Sequence, residues 1–492
     1  MKIYVTPDQM KDADKNTQEV FKMDGLVLME RAALFTVDVI KSLCDKNCCI
    51  AVLAGSGNNG GDGIAIARLL WEEGYQSAVY LCGDKAKMTK DCLRQYETAT
   101  IYKVPFLDNL SELSGFGLIV DAVTGVGFKG ELRKEVAEIT GFANTLNAKR
   151  IAVDMPTGVS SDDGSASCDS FNADVTVTFG FEKIGQHLYP GKALCGEVVR
   201  GRIGITDRSL SPDDKYIFGI ENSDLTRMIP ARRPDSHKGT YGKVLIIAGS
   251  SGMAGAAYMC AASAFACGCG MVKIISVPEN RNILQTLIPE AMFAEIDEYN
   301  FQDIIDENLG WADVVVAGCG LSQSSLAFSV IDYLASYCEL PLVLDADGLN
   351  LFSEEHPHIA SVDCVFTPHI GEMERLTGYM REEIEKNALP IAEKYASDLG
   401  VTLVLKSSST VIFDKKGRGF INDNGCSGMA TAGSGDVLSG MIGGLMAQKI
   451  PGNLAAPLAA YIHGLAGSYA ASEMGESGMK ASDIISGIKK VL

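Results

Sequence analysis

Short apolar runs alternate with amphipathic stretches along the first half of the chain. The apolar runs predict strands at residues 50–54, 77–81, 118–122, 150–153 and 175–179. The amphipathic stretches predict helices at residues 12–21, 25–43, 63–73 and 89–98. This order of strands and helices is typical of a mostly parallel sheet that is covered by helices on both faces.

The second half repeats this alternation with a different sequence. Its apolar runs predict strands at residues 244–248, 272–277, 314–317, 342–345, 364–366, 402–405 and 410–413. A polar, turn-rich segment, GRIGITDRSLSPDDKYIFGIENSD, separates the halves, and a chain of 492 residues exceeds one ordinary hydrophobic core. We therefore predict two α/β domains, at residues 1–212 and 222–492, with the boundary between residues 208 and 222.

Residues 244–272 lack formally charged side chains, as a membrane span does. Glycines interrupt the stretch, which predicts a strand, a glycine loop, a helix of small residues at 254–267 and a second strand. We expect this helix to be buried in a soluble domain. The pattern leaves open whether it packs inside its own domain or against another subunit.

The composition excludes some classes of binding partner and indicates a cellular compartment. The formal net charge is −19, which disfavours nucleic acid and anionic membranes because both attract basic surfaces. The 14 cysteines form no CxxC pair and no Cys/His zinc spacing, so we expect buried, reduced thiols. The amino-terminal stretch MKIYVTPDQMKDADK lacks the apolar core of a signal peptide. We expect a cytoplasmic protein that binds neither nucleic acid nor membrane.

The stretch AGSGNNGGDG, residues 54–63, follows the first central strand directly. Glycines let the backbone turn tightly and approach a ligand, and the amides at a helix start attract phosphate. Asp62 would repel phosphate, so it either faces a ribose hydroxyl, a cation or a reacting group, or it simply caps the helix. The stretch matches neither the GxGxxG fingerprint nor a P-loop.

Two more carboxylates lie at strand ends in this half. Asp121 precedes the loop TGVGFKG, Asp154 precedes PTG, and the segment TFGFEKIGQ offers Lys183. In an open α/β sheet the carboxyl ends of the strands form the ligand site. A hard cation held by the oxygens of Asn59, Asp121 and Thr157 would explain several of these residues.

The second half contains the loop TAGSGDVLSG, in which Gly433-Ser434-Gly435 precedes a helix predicted from Val437. Its amides form an anion site, and Asp436 beside them suits a general base for phosphoryl transfer, with a plain helix cap as the alternative. Upstream, Lys406 and four successive hydroxyl residues are typical of a nucleotide clamp. His369 follows a strand, and a structural, hydrogen-bonded histidine is the alternative there.

These motifs resemble, in order and over nearly the whole chain, the family of bifunctional NAD(P)H-hydrate repair enzymes. The segments GNNGGDG, DAVTGVGFKG and VDMPTG resemble its epimerase domain. The segments SHKGTYGKVLIIAGSSGMAGA, VVVAGCGL, LDADGLN, TPHIGEMERL and AGSGDVLSG resemble its ADP/ATP-dependent dehydratase domain. The resemblance implies a Rossmann-like three-layer α/β domain followed by a ribokinase-like α/β domain.

The resemblance also implies two activities in metabolite repair. NADH and NADPH slowly take up water to give the hydrates NADHX and NADPHX, which form as R and S epimers. The first domain would interconvert the epimers with K⁺ bound. The second would dehydrate the S form with Mg²⁺ and ADP or ATP, ADP being favoured, because phosphorylation turns a poor leaving group into a good one. We expect small-molecule substrates and a homo-oligomer.

Site residues follow from the same motifs. The resemblance implies that the epimerase binds the hydrate with Asn58, Asn59, Gly60, Gly61, Asp62, Gly125, Val126, Gly127, Phe128, Lys129, Gly130, Glu131 and Asp154. Potassium would bind Asn59, Asp121 and Thr157. The dehydratase would bind the hydrate with Ala256, Gly320, His369 and the catalytic Asp436, and the nucleotide with Lys406, Ser407, Ser408, Ser409, Thr410 and Gly435. Asp154 is our first candidate for the acid/base of epimerisation, and Lys183 is the second.

Three positions depart from the family pattern. Cys319 stands where proline is usual, Ser434 where threonine is usual, and Ser407 where the family often has glycine. The alternative function is a ribokinase-like small-molecule kinase, acting on a vitamin precursor, with a non-catalytic N-terminal binding module. Such a kinase would leave a stable phosphorylated product.

Overall fold

The computed structural model describes residues 1–352 and 359–492. Their contacts divide the chain into two compact units. Residues 3–216 form the N-terminal unit, and residues 1–2 with residues 217–492 form the C-terminal unit. Within the described ranges, no helix is both long and apolar enough to cross a membrane.

The N-terminal unit is built on a six-stranded parallel sheet. In spatial order its strands are Gln76–Leu81, Cys49–Ala54, Leu118–Ala122, Lys149–Val153, Val175–Phe179 and Glu197–Gly201. Two short strands, Lys2–Val5 and Glu182–Lys183, pair with each other in parallel. The helices span Pro7–Glu19, Gly25–Leu43, Asn58–Glu72, Lys90–Ile101, Lys134–Thr145 and Gly191–Cys195.

Side chains along each central strand alternate between the two faces of this sheet, and each face has its own layer of helices. Val52 belongs to one apolar core, together with helices Gly25–Leu43 and Asn58–Glu72. Leu53 belongs to a second core, together with helix Lys134–Thr145. The sheet is therefore the middle of three layers, which confirms the predicted Rossmann-like architecture.

The helix after the first glycine-rich loop begins at Asn58 and not at the predicted residue 63. Gly57 is its N-cap, so Asp62 lies in the second turn and does not cap the helix. A Cβ atom at Gly60 would lie 1.9 Å from the carbonyl oxygen of Gly55. This close packing holds the glycine-rich turn in helical form, although glycine has a low helix propensity.

The Gly60→Ala variant is expected to destabilise the N-terminal unit by about 1–3 kcal/mol, because the added methyl group must displace backbone. The matched control is Gly57→Ala, where a Cβ atom meets nothing within 4 Å. Thermal unfolding of both variants measures the difference. Equal melting temperatures would contradict the packing argument.

The C-terminal unit also contains a mostly parallel sheet. In spatial order its strands are Met292–Glu295, Met271–Ser276, Lys243–Ile247, Val314–Ala317, Leu342–Leu344, Cys364–Phe366, Thr402–Leu405, Thr410–Phe413, Gly419–Asn422 and Ile217–Gly219. Pairing is antiparallel on both sides of strand Thr410–Phe413. The helices span Asn222–Met228, Ala254–Ala266, Arg281–Leu287, Phe301–Leu309, Ser325–Tyr337, Asp347–Phe352, Ile370–Thr377, Arg381–Lys386, Ala388–Leu399, Ser434–Ala447, Gly452–Met474 and Ala481–Val491.

The helix of small residues packs inside its own unit. Helix Ala254–Ala266 lies against helix Ser434–Ala447, in the core of the C-terminal unit. A Cβ atom at Gly440 would lie 2.0 Å from the carbonyl oxygen of Cys260, so the two helix backbones are in close contact there. Small side chains therefore serve internal packing on this face, which answers the question that the sequence pattern left open.

Candidate active sites

A cleft of about 1130 Å³ opens at the carboxyl ends of the strands in the N-terminal unit. It is lined by eleven of the residues predicted for this site, Asn58, Asn59, Asp62, Gly125, Val126, Gly127, Phe128, Lys129, Glu131, Asp154 and Lys183. Gly60 and Gly61 lie buried beneath the cleft, where Gly61 packs on Met29. Gly130 is exposed and turns the loop with a φ of +81°.

Asp154 and Lys183 form an ion pair at one end of this cleft. The Lys183 ammonium is fully buried, and it also donates to the Thr178 hydroxyl at 2.7 Å and to the Phe179 carbonyl oxygen at 3.2 Å. Asp154 has a φ of +68°, which is uncommon for a residue other than glycine and costs free energy. Such strain is typical of functional positions, so the pair is a candidate acid/base centre.

Two further carboxyl groups interact with Asp154. Burial raises the pKa of Asp62 well above its usual value, and the charges of Asp154 and Asp14 raise it further. Burial is also the main cause that raises the pKa of Asp14, with Asp154 adding to it. Because burial and like charges both disfavour the ionised form, Asp62 and Asp14 retain their protons above the usual pH range of an aspartate. Asp14 belongs to no motif, and nothing in the sequence marked it.

Asp121 lies fully buried beneath the same glycine loops. Its carboxylate accepts hydrogen bonds from the Thr157 amide and hydroxyl, both at 2.7 Å, and from the Val123 amide at 3.2 Å. Burial raises its pKa to about 6 despite these bonds. Across the residues that the structure describes, no lysine, arginine or histidine pairs with it.

The surroundings of Asp121 offer further oxygen atoms. The Thr124 amide donates to the Thr157 hydroxyl at 3.0 Å, which brings the next loop against it. The Thr124 hydroxyl is buried and, within the described part of the chain, has no hydrogen-bond partner. The side-chain Nδ2 atom of Asn59 is unpartnered as well, but as a donor it cannot bind a cation, so only the Oδ1 atom of Asn59 could do so. Asn59 also packs against Gly125, where a Cβ atom would lie 3.4 Å from its Oδ1 atom. An uncompensated carboxylate among hydroxyl and amide oxygens fits a hard monovalent cation.

Three of the predicted side chains in the cleft are held by local partners. Glu131 accepts from the Ser167 hydroxyl at 2.6 Å. Asn58 accepts from the Thr89 hydroxyl at 2.7 Å. The exposed Lys129 pairs with Asp162 at 2.8 Å. These contacts fix the rim of the cleft.

In the C-terminal unit, Asp345 and Lys406 form the centre of a second polar cluster. The Lys406 ammonium lies 2.6 Å from Oδ1 of Asp345, and the Ser439 hydroxyl donates to Oδ2 at 2.6 Å. Burial alone would raise the pKa of Asp345, but the charge of Lys406 and the two hydrogen bonds hold it below its usual value. Lys406 also lies 3.9 Å from Glu372. Asp345 is therefore a fixed anion at the end of its strand.

Asp436 lies in the first turn of helix Ser434–Ala447, which begins three residues before the predicted start. Gly433 is the N-cap, with a φ of +92° that favours glycine. Burial raises the pKa of Asp436 to about 6, and the charge of Asp345 adds to the rise. A carboxylate with this pKa beside a helix start suits a general base near neutral pH.

Cys319 is a member of this cluster that the sequence did not reveal. The Cys319 sulphur and carboxylate oxygens of Asp345 and Asp436 all lie within 4.8 Å of one another. The cysteines were expected to be buried, reduced thiols. Eight of the 14, Cys319 among them, are buried, but five are partly buried and Cys168 is exposed; none of the 14 forms a disulfide. Only its position beside a strand-end glycine, in AGCGL, could have suggested a role at the site.

His369 lies beside Lys406, in a neighbouring extended segment. Its Nδ1 atom accepts from the Glu372 amide at 3.1 Å, and its own amide donates to Glu372 at 2.7 Å, so the two residues cap helix Ile370–Thr377. Burial and the charge of Lys406 lower the pKa of His369. The hydrogen-bonded structural role is thus real, and the half-exposed ring remains available to a ligand.

The remaining predicted dehydratase residues fall into two groups. Gly320 has a φ of +61°, and a Cβ atom there would lie 2.9 Å from that of Ala256, so these two residues are adjacent. A Cβ atom at Gly435 would lie 3.3 Å from the Lys406 ammonium, so these two are adjacent as well. Gly320 directly follows Cys319 in the chain, and Gly435 lies beside Lys406. Both pairs are therefore next to the Asp345 cluster.

The hydroxyl run after Lys406 forms a tight turn between strands Thr402–Leu405 and Thr410–Phe413. The Ser407 hydroxyl donates to the Ser409 carbonyl oxygen at 2.7 Å, and Thr410 donates to the Ser407 carbonyl oxygen at 3.4 Å. Ser408 is exposed and Ser409 is buried. The four side chains therefore do not all face one ligand.

The dehydratase reaction is expected to require the ionised form of Asp436. Because burial raises its pKa to about 6, the carboxylate is lost as the pH falls through that value. We predict that the dehydratase kcat rises about tenfold per pH unit below this midpoint and levels off above it. A rate profile on pure S hydrate, corrected for spontaneous decay, measures the midpoint. A midpoint at the ordinary aspartate value would contradict the burial argument.

Comparisons with known proteins match both halves of the chain. A family model described as NAD(P)H-hydrate dehydratase matches residues 244–490. A second model, described as YjeF-related protein N-terminus, matches residues 25–185. The chain is 34% identical to the bifunctional NAD(P)H-hydrate repair enzyme of Moorella thermoacetica, over 99% of this chain and 96% of the relative.

Solved structures resemble the C-terminal unit. The ADP/ATP-dependent NAD(P)H-hydrate dehydratase from Bacillus subtilis, co-crystallised with ATP and Mg²⁺, is 28% identical with a TM-score of 0.51, covering 56% of this chain and 97% of that one. A ribokinase-like superfamily protein from Enterococcus faecalis is 29% identical with a TM-score of 0.50, covering 56% and 94%. These matches confirm the predicted ribokinase-like fold. With both halves matched in order, the chain belongs to the family of bifunctional NAD(P)H-hydrate repair enzymes.

Proposed function

We propose that the N-terminal unit interconverts the R and S forms of NADHX and NADPHX, and that the C-terminal unit dehydrates the S form with ADP or ATP. One observation carries this proposal: each unit has a carboxylate–lysine ion pair beside a glycine-rich helix start, which we take to mark its acid/base centre. In the N-terminal unit the centre is the Asp154–Lys183 pair. In the C-terminal unit it is Asp436, next to Asp345 and Lys406.

Epimerisation inverts a carbon that carries a hydroxyl group and is bonded to the ring nitrogen. In our proposal the carbon–nitrogen bond breaks as the hydroxyl loses its proton, which leaves an aldehyde, and the ring nitrogen takes up a proton; closure onto the opposite face reverses both transfers and inverts the carbon. Asp154 accepts the hydroxyl proton, and the Lys183 ammonium, paired with Asp154, stabilises the charge and is the source of the proton that the nitrogen takes up. The glycine loops at residues 58–62 and 125–131 would hold the hydrate against this pair.

Potassium in this proposal is held by Asn59, Asp121 and Thr157. The ion would supply a positive charge that stabilises the buried carboxylate and fixes the two glycine loops beside it. Asp121 itself would bind the ion and orient the glycine loops, since it does not line the cleft within the described residues. The Thr157 hydroxyl keeps the loop after Asp121 in register through the Thr124 amide.

Removal of potassium is expected to weaken the epimerase and leave dehydration of pure S hydrate unchanged. At about 100 times its dissociation constant, the ion would stabilise the N-terminal unit by about 2.7 kcal/mol. Melting temperature and epimerase rate are measured in potassium chloride and in tetramethylammonium chloride at equal ionic strength. For the Asp121→Asn variant, the melting temperature and the epimerase rate should each be the same in the two salts. An unchanged melting temperature in the wild type would contradict the proposed site.

Dehydration in the C-terminal unit begins with phosphoryl transfer in our proposal. Asp436 takes the proton from the substrate hydroxyl as its oxygen attacks the terminal phosphorus of the nucleotide. Lys406 and the amides at the start of helix Ser434–Ala447 bind the phosphates. The nucleotide leaves as AMP or ADP. The ring nitrogen lone pair then expels phosphate to give an iminium ion, and loss of a proton from the neighbouring ring carbon restores the nicotinamide double bond.

Magnesium would accompany the nucleotide phosphates, as suggested by the Bacillus subtilis dehydratase that was co-crystallised with ATP and Mg²⁺. It would neutralise negative charge on the phosphoryl group during its transfer. The carboxylate of Asp345, which Lys406 and Ser439 hold in place, offers hard oxygen donors of the kind that Mg²⁺ accepts, and Asp436 stays available as the base.

The product distinguishes this function from that of a small-molecule kinase. Pure S hydrate is incubated with the protein, Mg²⁺ and either ADP or ATP. We expect one inorganic phosphate released for each reduced nicotinamide formed, with ADP the preferred nucleotide. A phosphorylated product that accumulates without recovery of reduced nicotinamide would support the kinase instead.

A further inference from the structure

A single buried side chain joins the backbones of Asp154 and Lys183. Gln186 is 1% exposed. Its Oε1 atom accepts from the Lys183 amide at 2.8 Å, and its Nε2 atom donates to the Asp154 carbonyl oxygen at 2.8 Å. One side-chain amide therefore satisfies a backbone group of each member of the pair.

The Asp154 backbone requires support of this kind. Its φ of +68° is strained for a residue with a Cβ atom. Its amide is held by the Val177 carbonyl oxygen at 2.7 Å, and its carbonyl oxygen is held by Gln186. Loss of the second bond would leave a part-buried carbonyl group unsatisfied and free the peptide to relax toward the favoured extended region.

The side chains of the pair have separate support. The Thr178 hydroxyl donates to Oδ1 of Asp154 at 3.2 Å and accepts from the Lys183 ammonium at 2.7 Å. The Phe179 amide also donates to Asp154, at 3.3 Å. These bonds lie at the carboxylate and ammonium ends, whereas Gln186 acts on the two backbones behind them.

We infer that Gln186 is a positioning residue for epimerisation, which rests on the proposed function of the Asp154–Lys183 pair. It does not line the cleft within the described residues, so it acts through the pair and not on the substrate. Its amide sets the distance between the two backbones, so that the buried Lys183 ammonium stays paired with the Asp154 carboxylate at the end of the cleft. A shift of about 1 Å in such a centre can cost about 100-fold in rate.

The test substitutes methionine, which matches the length and unbranched shape of glutamine but forms neither bond. For Gln186→Met we expect the epimerase kcat to fall about 10- to 100-fold with KM within about twofold, because substrate contacts are untouched. The matched control is Gln95→Met, another buried glutamine in the N-terminal unit, whose amide faces Glu30 at 3.5 Å. Rates are expressed per mole of chain that is active in dehydrating S hydrate.

The outcomes separate this inference from the proposal beneath it. A kcat loss no greater than that of Gln95→Met overturns the role of Gln186. A rise in KM with unchanged kcat does the same, since it indicates substrate binding. Gln186→Leu repeats the test if the methionine variant lowers the melting temperature below the assay range. An active Asp154→Asn variant would instead refute the acid/base pair itself, whatever Gln186 does.

Discussion

The Asp436→Asn variant is expected to lose dehydration of the S hydrate by about 100- to 10,000-fold, the usual cost of removing a general base. Asparagine fills the same space but cannot accept the hydroxyl proton. The phosphate-binding amides and Lys406 remain, so nucleotide binding should persist. Epimerisation should be unchanged, because its proposed centre lies in the other unit. The rate is measured on pure S hydrate with saturating nucleotide.

A matched control separates catalysis from helix capping. Asp483 also lies in the first turn of a helix in the C-terminal unit, where it accepts from the Lys480 amide at 2.8 Å. The Asp483→Asn variant should lose a little stability and no activity, since a capping contact is worth about 1 kcal/mol. If Asp436→Asn behaved in the same way, the role of Asp436 as a base would be refuted.

The Asp154→Asn variant is expected to slow the conversion of R to S hydrate by about 100- to 10,000-fold. The substitution removes the proton acceptor and leaves the Lys183 ammonium without its counter-charge. Dehydration of pure S hydrate should be unchanged. The measurement supplies pure R hydrate, Mg²⁺ and saturating nucleotide; the variant's own C-terminal unit dehydrates each S hydrate that forms, so the recovery of reduced nicotinamide reports epimerisation.

Asp169→Asn is the control for backbone strain. Asp169 has a φ of +61° and is exposed, and it lies in the same unit but outside the cleft. Because asparagine tolerates the left-handed region about as well as aspartate, both variants should keep their fold. Equal loss of epimerase and dehydratase activity in Asp154→Asn would contradict the model of two separate sites.

Much of the fold could be predicted because parallel strands that are buried on both faces are continuous apolar runs. The strands Leu118–Ala122, Val175–Phe179 and Thr402–Leu405 have the predicted bounds. The predicted start of helix Asn58–Glu72, at residue 63, was wrong, because four glycines near one another indicated a loop. Its helical form depends on the contact of Gly60 with Gly55, which local sequence does not reveal.

The candidate sites were predictable where residues follow strands, since those ends meet at one edge of a sheet. Asp121 and Asp154 were found in this way. Asp14 was missed because it lies on the polar face of a helix. The sequence pattern of such a face is the same whether the face is covered by solvent or lines a cleft. Cys319 was missed because buried cysteines are usually packing residues. Gln186 was missed because its side chain binds backbone groups of other residues, and such contacts have no recognisable sequence motif.

The central claim is that one chain repairs both epimers at two sites. The most direct measurement is the absorbance of reduced nicotinamide after the protein is mixed with R and S NADHX, potassium, magnesium, and ADP or ATP. The account predicts full recovery of NADH from both epimers. Recovery of the S share alone, beyond the slow spontaneous exchange, would contradict the epimerase, and no recovery with either nucleotide would contradict the whole account.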